Sequence, residues 1–241
     1  MHNSLTGDFD IQNQIFLDIR PDALAFLEAR AVVKRLNQDQ VLFEEGDVVS
    51  HAIFPHEGVV SLMARMDDGR SVAKVSVGKE GFVGIVFLYG GGETVSQPVV
   101  KVAGYASWIS IEALDAAIKK YPCVRDAMMR YARSLTVQLM ESVACNSLHK
   151  AEQRVARWLL EAHDRVNTDR FQITQQAVSE VLGLRRATVS AACNALMNQG
   201  ALRYSRGTVT IIERRLLEDS ACECYDRIRR AYGQAPANTI L

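Results

Sequence analysis

Near residue 110 the hydrophobic pattern of this chain changes period. From 31 to about 110 the sequence is a series of short β-type runs: AVVKRL, QVLFEEGD, HAIFPHEG, VVSLMARM, SVAKVSV, FVGIVFL, QPVVKV and YASWISI. Turn signals divide them, DDGR at 67–70 reading as a hairpin turn. Such even spacing predicts an antiparallel barrel or roll. From Ile111 onward the apolar residues recur every three or four positions. Val124, Met128, Tyr131, Leu135, Leu139 and Val143 fall on one stripe, and AEQRVARWLLEAHDRV begins a second helical stretch. Ahead of the β-type runs, PDALAFLEARA places Pro21 to open a helix, with Ala23, Leu24, Leu27 and Ala31 on one face.

The expected fold is therefore α+β, in three parts. An antiparallel β-roll with an N-terminal helix occupies 1–121, a long helix 122–147, and a helical, basic domain with a C-terminal helical tail 148–241. A chain of 241 residues with 48% apolar content has the material for two moderate domains. The stripe on the long helix continues past what one small roll can cover. That predicts a homodimer, with Met128, Tyr131, Leu135, Leu139 and Val143 at the seam.

Net charge is zero over the whole chain but not along it. Between 165 and 215 the arginines at 165, 170, 185, 186, 203, 206, 214 and 215 face only Asp169, Glu180 and Glu213. After Lys150 there is no lysine, so every Lys/Arg cation there is a planar, bidentate guanidinium suited to phosphates and guanine edges. Within this region Thr174 is a predicted N-cap, and Ala177, Val178 and Val181 form the inner face of a helix ended by Gly183. A second helix starts near Arg185, turns Val189, Ala192 or Cys193, and Leu196 inward, and ends at Gly200. Two short helices around a glycine turn are a helix-turn-helix. Its second helix then presents Arg185, Arg186, Thr188, Ser190 and Asn194 outward, a surface for phosphates and base edges. Gln175 and Gln176 open the first helix, where phosphates bind. LRYSRGTVTI reads as two strands around a tight turn, a wing carrying Arg203 and Arg206 to the DNA backbone.

The five cysteines (Cys123, Cys145, Cys193, Cys222, Cys224) are scattered and odd in number, as expected of free structural thiols in a reducing cytoplasm. Cys222 and Cys224 form a C-x-C short of a four-ligand set. His2, His51, His56, His149 and His163 lack a metal-site spacing such as H-E-x-x-H, so no metal is expected. No secretory leader pattern and no run of 18 apolar residues occurs, which places the expected protein in the cytoplasm, off the membrane. No Ser/His/Asp or paired-carboxylate arrangement stands out, so no enzyme is expected.

The order of these parts resembles the CRP/FNR superfamily of bacterial transcription regulators. The matching stretches are FEEGD (43–47), EGFVG (80–84), LHKAEQRVARWLL (148–160) and, most specific, ITQQAVSEVLGLRRATVSAACNAL (173–196). The resemblance implies a cyclic-nucleotide-binding-like jelly roll, a dimerisation helix, a winged helix-turn-helix, double-stranded DNA as partner and RNA polymerase as a further one. Members that bind a cyclic nucleotide carry a Glu after the GxFxG turn and an Arg-Ser pair after the next loop. Here those positions hold Ile85 and the stretch GGGETVSQ. From Lys79 to Lys101 there is no cation, and Glu93 adds a like charge. Positions that touch adenine in relatives align with Leu139 and Met140. Gly84, Ile85, Val86, Gly90, Gly91, Gly92, Thr94, Ser96, Leu139 and Met140 therefore outline an effector pocket without a phosphate anchor. Its effector is unknown, and cyclic AMP control of the usual kind is not expected. The iron-sulfur branch of the family needs N-terminal cysteines, and none precedes Cys123. On the recognition helix Arg186 matches the family's Arg, while Ala187 and Ala191 replace its Glu and later Arg, which implies a different operator. Two alternatives follow. One is a member still controlled by a cyclic nucleotide held on the backbone amides of Gly90 to Gly92; the other is a non-enzymatic protein-interaction module.

Overall fold

The computed structural model of the protein describes residues 10–233. Residues 1–9 and 234–241, with His2 and the outer ends of the first and third expected parts, lie outside them. The chain parts into two compact units, one comprising the residues up to Val60 with Val77–Ala132, the other Ser61–Ser76 with Arg133 onward.

In the first unit the Asn13 side chain accepts from the Ile15 amide and so caps α1 (Gln14–Leu17). Its amide group donates to the carbonyls of Pro55 and Gly81 at 2.8 and 2.7 Å, which satisfies a fully buried Asn. Pro21 opens α2 (Pro21–Glu28); of the predicted face Ala23 and Leu27 are buried, Leu24 is half-buried and Ala31 lies beyond the end of the helix. The strands β1 (Val32–Leu36), β2 (His51–Arg65), β3 (Ser71–Val77) and β4 (Gln97–Ser110) are hydrogen-bonded in the order β1-β4-β2-β3.

The eight expected runs thus become four strands. HAIFPHEG and VVSLMARM are one strand, β2, and QPVVKV and YASWISI are another, β4. Gly58 and Gly104, which read as breaks, mark where the two long strands come together. A Cβ on Gly58 would lie 2.7 Å from the Val102 carbonyl oxygen, and one on Gly104 would lie 2.0 Å from that of Glu57. QVLFEEGD contributes only the bridge Val41 to Val99. FVGIVFL bends at Gly84, φ +103°, and its second half winds into a 3-10 turn, Ile85–Tyr89. The core is aromatic: Phe16 lies 5.0 Å from Phe54, Phe54 5.3 Å from Phe82, and Phe82 5.3 Å from Tyr131, between ring centres.

His56 is 2% exposed in this core. Its Nδ1 accepts from the amides of Gln12 and Asn13, both at 3.2 Å, so the proton resides on Nε2, which donates to Ser107 Oγ at 2.8 Å. Burial lowers its pKa from 6.5 to about 4. The unfolded chain therefore takes up this proton first, and the stability His56 contributes is complete above pH 6.5 and lost as pH falls toward 4. The expected loss is about 3 kcal/mol by pH 4. Urea titrations from pH 7 to 4 should show it. His56→Gln, which keeps one acceptor and one donor but does not titrate, should flatten that part of the profile. An unchanged slope in the variant would remove His56 from the acid response.

Ser110 caps α3 (Ile111–Lys120), its Oγ accepting from the Ala113 amide. The helix α4 (Pro122–Leu148) passes from the first unit into the second between Ala132 and Arg133.

The second unit begins with the hairpin at the ends of β2 and β3. It is closed at DDGR as predicted: the Met66 amide donates to the Arg70 carbonyl at 2.8 Å, and Gly69 takes φ +81°. Its central helix is α5 (Ala151–Asp164), buried at every position from Val155 to Ala162. That run includes Arg157 and Glu161, which form an ion pair at 2.6 Å. Around α5 stand β5 (Arg170–Gln172), α6 (Gln175–Leu182), α7 (Arg186–Asn198), β6 (Leu202–Ser205), β7 (Thr208–Ile211), α8 (Arg214–Ser220) and α9 (Cys224–Ala231). The strands pair antiparallel in the order β5-β7-β6.

Candidate nucleic-acid interface and a cysteine-histidine cluster

Thr174 caps α6 by accepting from the Ala177 amide at 3.0 Å, and Gly183 ends it in the left-handed region at φ +61°. A Cβ on Gly183 would stand 3.2 Å from the Val72 side chain, so the hairpin backs the turn between α6 and α7. On α7, Val189, Ala192, Cys193 and Leu196 are buried. Arg185, Arg186, Ala187, Thr188, Ala191 and Asn194 are exposed and Ser190 is half-buried. Cys193 is a packing residue, since burial pushes its thiol up to about 11.

The wing is a hairpin whose turn residues Arg206 and Gly207 both have positive φ, +48° and +76°. A two-residue turn of that kind follows the right-handed twist of its strands. Opposed residues in these ladders share a face. Phe171 and Tyr204 stand opposite Val209 on the inner side, and Arg170 and Arg203 both stand opposite Thr210 on the outer. Arg170, Arg203 and Arg206 line one shallow recess with Ser205, Thr208 and Thr210, with no acidic residue among them. Arg170 was counted in the charge of this region but not among the contact residues. What singles it out is the register of β5 against β7, and a three-residue strand leaves no periodic signal.

Structure divides the arginines into two sets. Arg165 donates to the Ser76 carbonyl at 3.0 Å, and Arg214 pairs with Asp164 at 2.7 Å and Glu218 at 2.9 Å, so these two hold the unit together. Among the described residues no ion pair engages Arg170, Arg185, Arg186, Arg203 or Arg206. Gln176 donates to Glu180 at 3.0 Å, and Gln175 is half-buried beside it.

In the first unit the glycine loop is exposed, with Gly90, Gly91 and Gly92 at φ +101°, +81° and +112°. Gly90 and Gly91 already donate their amides to the carbonyls of Phe87 and Val86. The Thr94 hydroxyl donates to the Ser96 carbonyl at 2.8 Å, and Ser96 is buried. Gly84, Ile85 and Val86 are half-buried.

Along α4 the expected seam splits. Met128, Tyr131 and Leu135 are buried within the single chain, and a Cβ on Gly81 would meet the Tyr131 ring at 1.9 Å. Leu139 and Val143 are exposed, as are Met129 and Met140. The helix carries an inner apolar stripe and, about 100° away, an outer stripe of mixed character with Met129, Met140 and Val143, and sequence period alone merges them.

The scattered thiols also need correction. Cys145, His149, Cys222 and Cys224 converge, with their ligand atoms within 4.8 Å of one another. No spacing motif reveals this, because the residues come from two segments some 75 positions apart. The hydrogen bond from the Cys222 thiol pulls the Cys145 thiol down and pushes its own up. Cys123 is half-buried and outside the group. Among the described residues no helix is long and apolar enough to cross a membrane.

Residues 153–220 match the Crp-like helix-turn-helix domain. Over 204 residues, 82% of this chain and 91% of the relative, the sequence is 22% identical to the CRP-like cAMP-activated global transcriptional regulator of Mycobacterium tuberculosis. FixK2 from Bradyrhizobium japonicum shares the fold with a TM-score of 0.68 at 18% identity, over 80% of this chain and 98% of that one. The c-di-GMP-responsive global regulator CLP of Xanthomonas campestris does so at 0.61 and 17%, over 80% and 99%. Residues 153–220 are thus a Crp-like helix-turn-helix domain, in a chain similar in sequence to a CRP-like transcription regulator and sharing the fold of FixK2 and CLP.

Proposed function

We propose that the protein acts as a homodimer that places α7 of each copy in successive major grooves of a two-fold operator. The observation that carries this is the exposed face of α7, where Arg185 and Arg186 stand outside every ion pair among the described residues while Arg157, Arg165 and Arg214 are held internally. Arg186 is the residue for a guanine edge, with Arg185, Thr188, Ser190 and Asn194 at neighbouring bases or phosphates. The methyl groups of Ala187 and Ala191 lie on the same surface and suit thymine methyls, where a Glu and an Arg would have demanded polar partners. Gln175 and Gln176 approach phosphates, and Arg203, Arg206 and Arg170 hold the backbone beside the wing. RNA polymerase is the expected protein partner of the bound dimer.

The effector, where one acts, is not a cyclic phosphate. No Lys or Arg lies between Lys79 and Lys101, the amides of Gly90 and Gly91 are spent on their own turn, and the Thr94 hydroxyl is likewise engaged. The Mycobacterium relative is cAMP-activated by name; in this chain the stretch between Lys79 and Lys101 supplies no cation for such a ligand.

Selection from a random duplex pool, with and without cyclic AMP, tests both statements. A two-fold symmetric motif that ignores the nucleotide is expected; enrichment only with cyclic AMP would overturn the second. On the selected site Arg186→Ala should cost about 1 to 3 kcal/mol and relax one base position. An equal loss on random DNA would reassign Arg186 to the phosphate backbone.

A further inference from the structure

Three buried thiols and an imidazole meet where α4 ends. Cys145 is on the last turns of α4, and the His149 amide donates to the Cys145 carbonyl at 3.1 Å, so the two side chains lie one helical turn apart on one face. Cys222 lies in the link between α8 and α9, and Cys224 is the first residue of α9. Cys145, Cys222 and Cys224 are at most 4% exposed.

The separations are those of ligands around one ion. Bonds of about 2.3 Å to sulfur and about 2.0 to 2.1 Å to imidazole nitrogen give tetrahedral edges of about 3.8 Å between sulfurs and about 3.6 Å between sulfur and nitrogen. Here Cys145 Sγ is 3.5 Å from Cys222 Sγ, and Cys224 Sγ is 3.6 Å from His149 Nδ1. The imidazole is also oriented for the task. Its Nε2 lies 3.2 Å from Glu223 Oε2, which fixes the proton on that nitrogen and leaves the Nδ1 lone pair facing the thiols. A disulfide between Cys145 and Cys222 would leave both Cys224 and this carboxylate-imidazole pair without a purpose.

We propose that Cys145, His149, Cys222 and Cys224 bind a single zinc(II) ion in a closed tetrahedral Cys3His site, with Glu223 as the positioning residue for His149. Three soft thiolates and an imidazole select such an ion over hard cations, and four protein donors leave no open position for catalysis. Convergence on one point suits a mononuclear ion, since a cluster of several irons spreads its thiolates over separate metals. The site clasps the end of α4 and the start of α5 to α9. Already α9 and its flank lie along α4: Ser134 Oγ donates to the Ala231 carbonyl at 2.6 Å, and the Tyr232 hydroxyl to Gln138 Oε1 at 2.7 Å. The ion fixes the angle at which α5, the base of the reading unit, leaves the long helix.

The test is metal analysis of the full-length protein purified without chelator, followed by replacement with Co2+ in the reduced chain. About one zinc per chain is expected, and Co2+ should give the intense visible bands of a tetrahedral thiolate site. Cys222→Ser and Cys224→Ser should lose the metal, while Cys123→Ser should retain it. Glu223→Ala keeps all four ligands and should weaken metal affinity by about 10- to 100-fold. Because Co2+ is added to the unaltered chain, a variant that fails to fold does not decide the result. Metal-free protein that gives no tetrahedral Co2+ spectrum would overturn the proposal, as would a Cys145–Cys222 disulfide found by mass spectrometry in freshly purified protein.

Discussion

Replacing Met140 and Val143 together by glutamate is expected to give a folded monomer whose affinity for a two-fold operator is lower by about a hundred- to ten-thousand-fold. Both side chains are 69% exposed in the single chain, so the substitution removes no internal packing. They belong to the outer stripe of α4, which runs from Met129 through Arg133 and Thr136 to Met140 and Val143 in steps of four and three. A pair of such stripes closes as a coiled-coil seam. In the variant each seam brings four carboxylates together and removes them from water, which opposes association on both counts. The DNA effect follows from geometry. Two linked reading heads bind the second half-site as an intramolecular event, and separating them removes that gain, worth about 10² to 10⁴ in affinity. Sedimentation should give the mass of one chain, and anisotropy titration on the selected operator should show the loss. A variant that stays dimeric would move the seam off this stripe. A monomer that binds the full operator undiminished would end the two-fold reading itself.

What could be read from the chain follows from how local each signal is. The helix-turn-helix was visible because its signals are neighbours: Thr174 as cap, Gly183 as stop, and Val189 with Leu196 inward, all within some two dozen residues. The roll was visible as a class but not strand by strand. Gly58 and Gly104 carry the same letters as a turn would, and only the path of β2 beside β4 tells the two uses apart. On α4 the inner and outer stripes differ by one position in register, and whether Met128 or Met129 faces its own chain is decided by Gly81 beside Tyr131. Farthest from view was the cysteine-histidine group. Its C-x3-H and C-x-C halves are unremarkable alone and become a site only when α9 folds back on the end of α4.

Gly104→Ala should be among the most damaging single-methyl changes in the first unit. The added Cβ would lie 2.0 Å from the Glu57 carbonyl oxygen, 2.4 Å from its carbon and 2.8 Å from the Gly58 nitrogen. All three are backbone atoms of β2, so no side chain can turn aside, and β4 must shift away from β2 while remaining paired with β1 through Leu36. Overpacking that moves backbone in this way costs about 3 kcal/mol, the upper end of the usual range, a large part of the roughly 5 to 15 kcal/mol typical of a domain. Gly91→Ala is the matching control. Nothing lies within 4 Å of its Cβ, so only the strain of φ +81° opposes it, at about 1 to 2 kcal/mol. Urea unfolding of the two variants should separate these costs. On the proposed reading, in which the loop positions no phosphate, operator binding by Gly91→Ala should match the unaltered chain, with or without cyclic AMP. Equal destabilisation in the two variants would mean that the strands can part freely at Gly104. Loss of operator binding in Gly91→Ala alone would return the glycine loop to the regulatory site. The glycines that most resemble a binding loop are thus expected to be the tolerant ones, and the one hidden inside β4 the intolerant one, because a missing Cβ matters most where another backbone occupies its place.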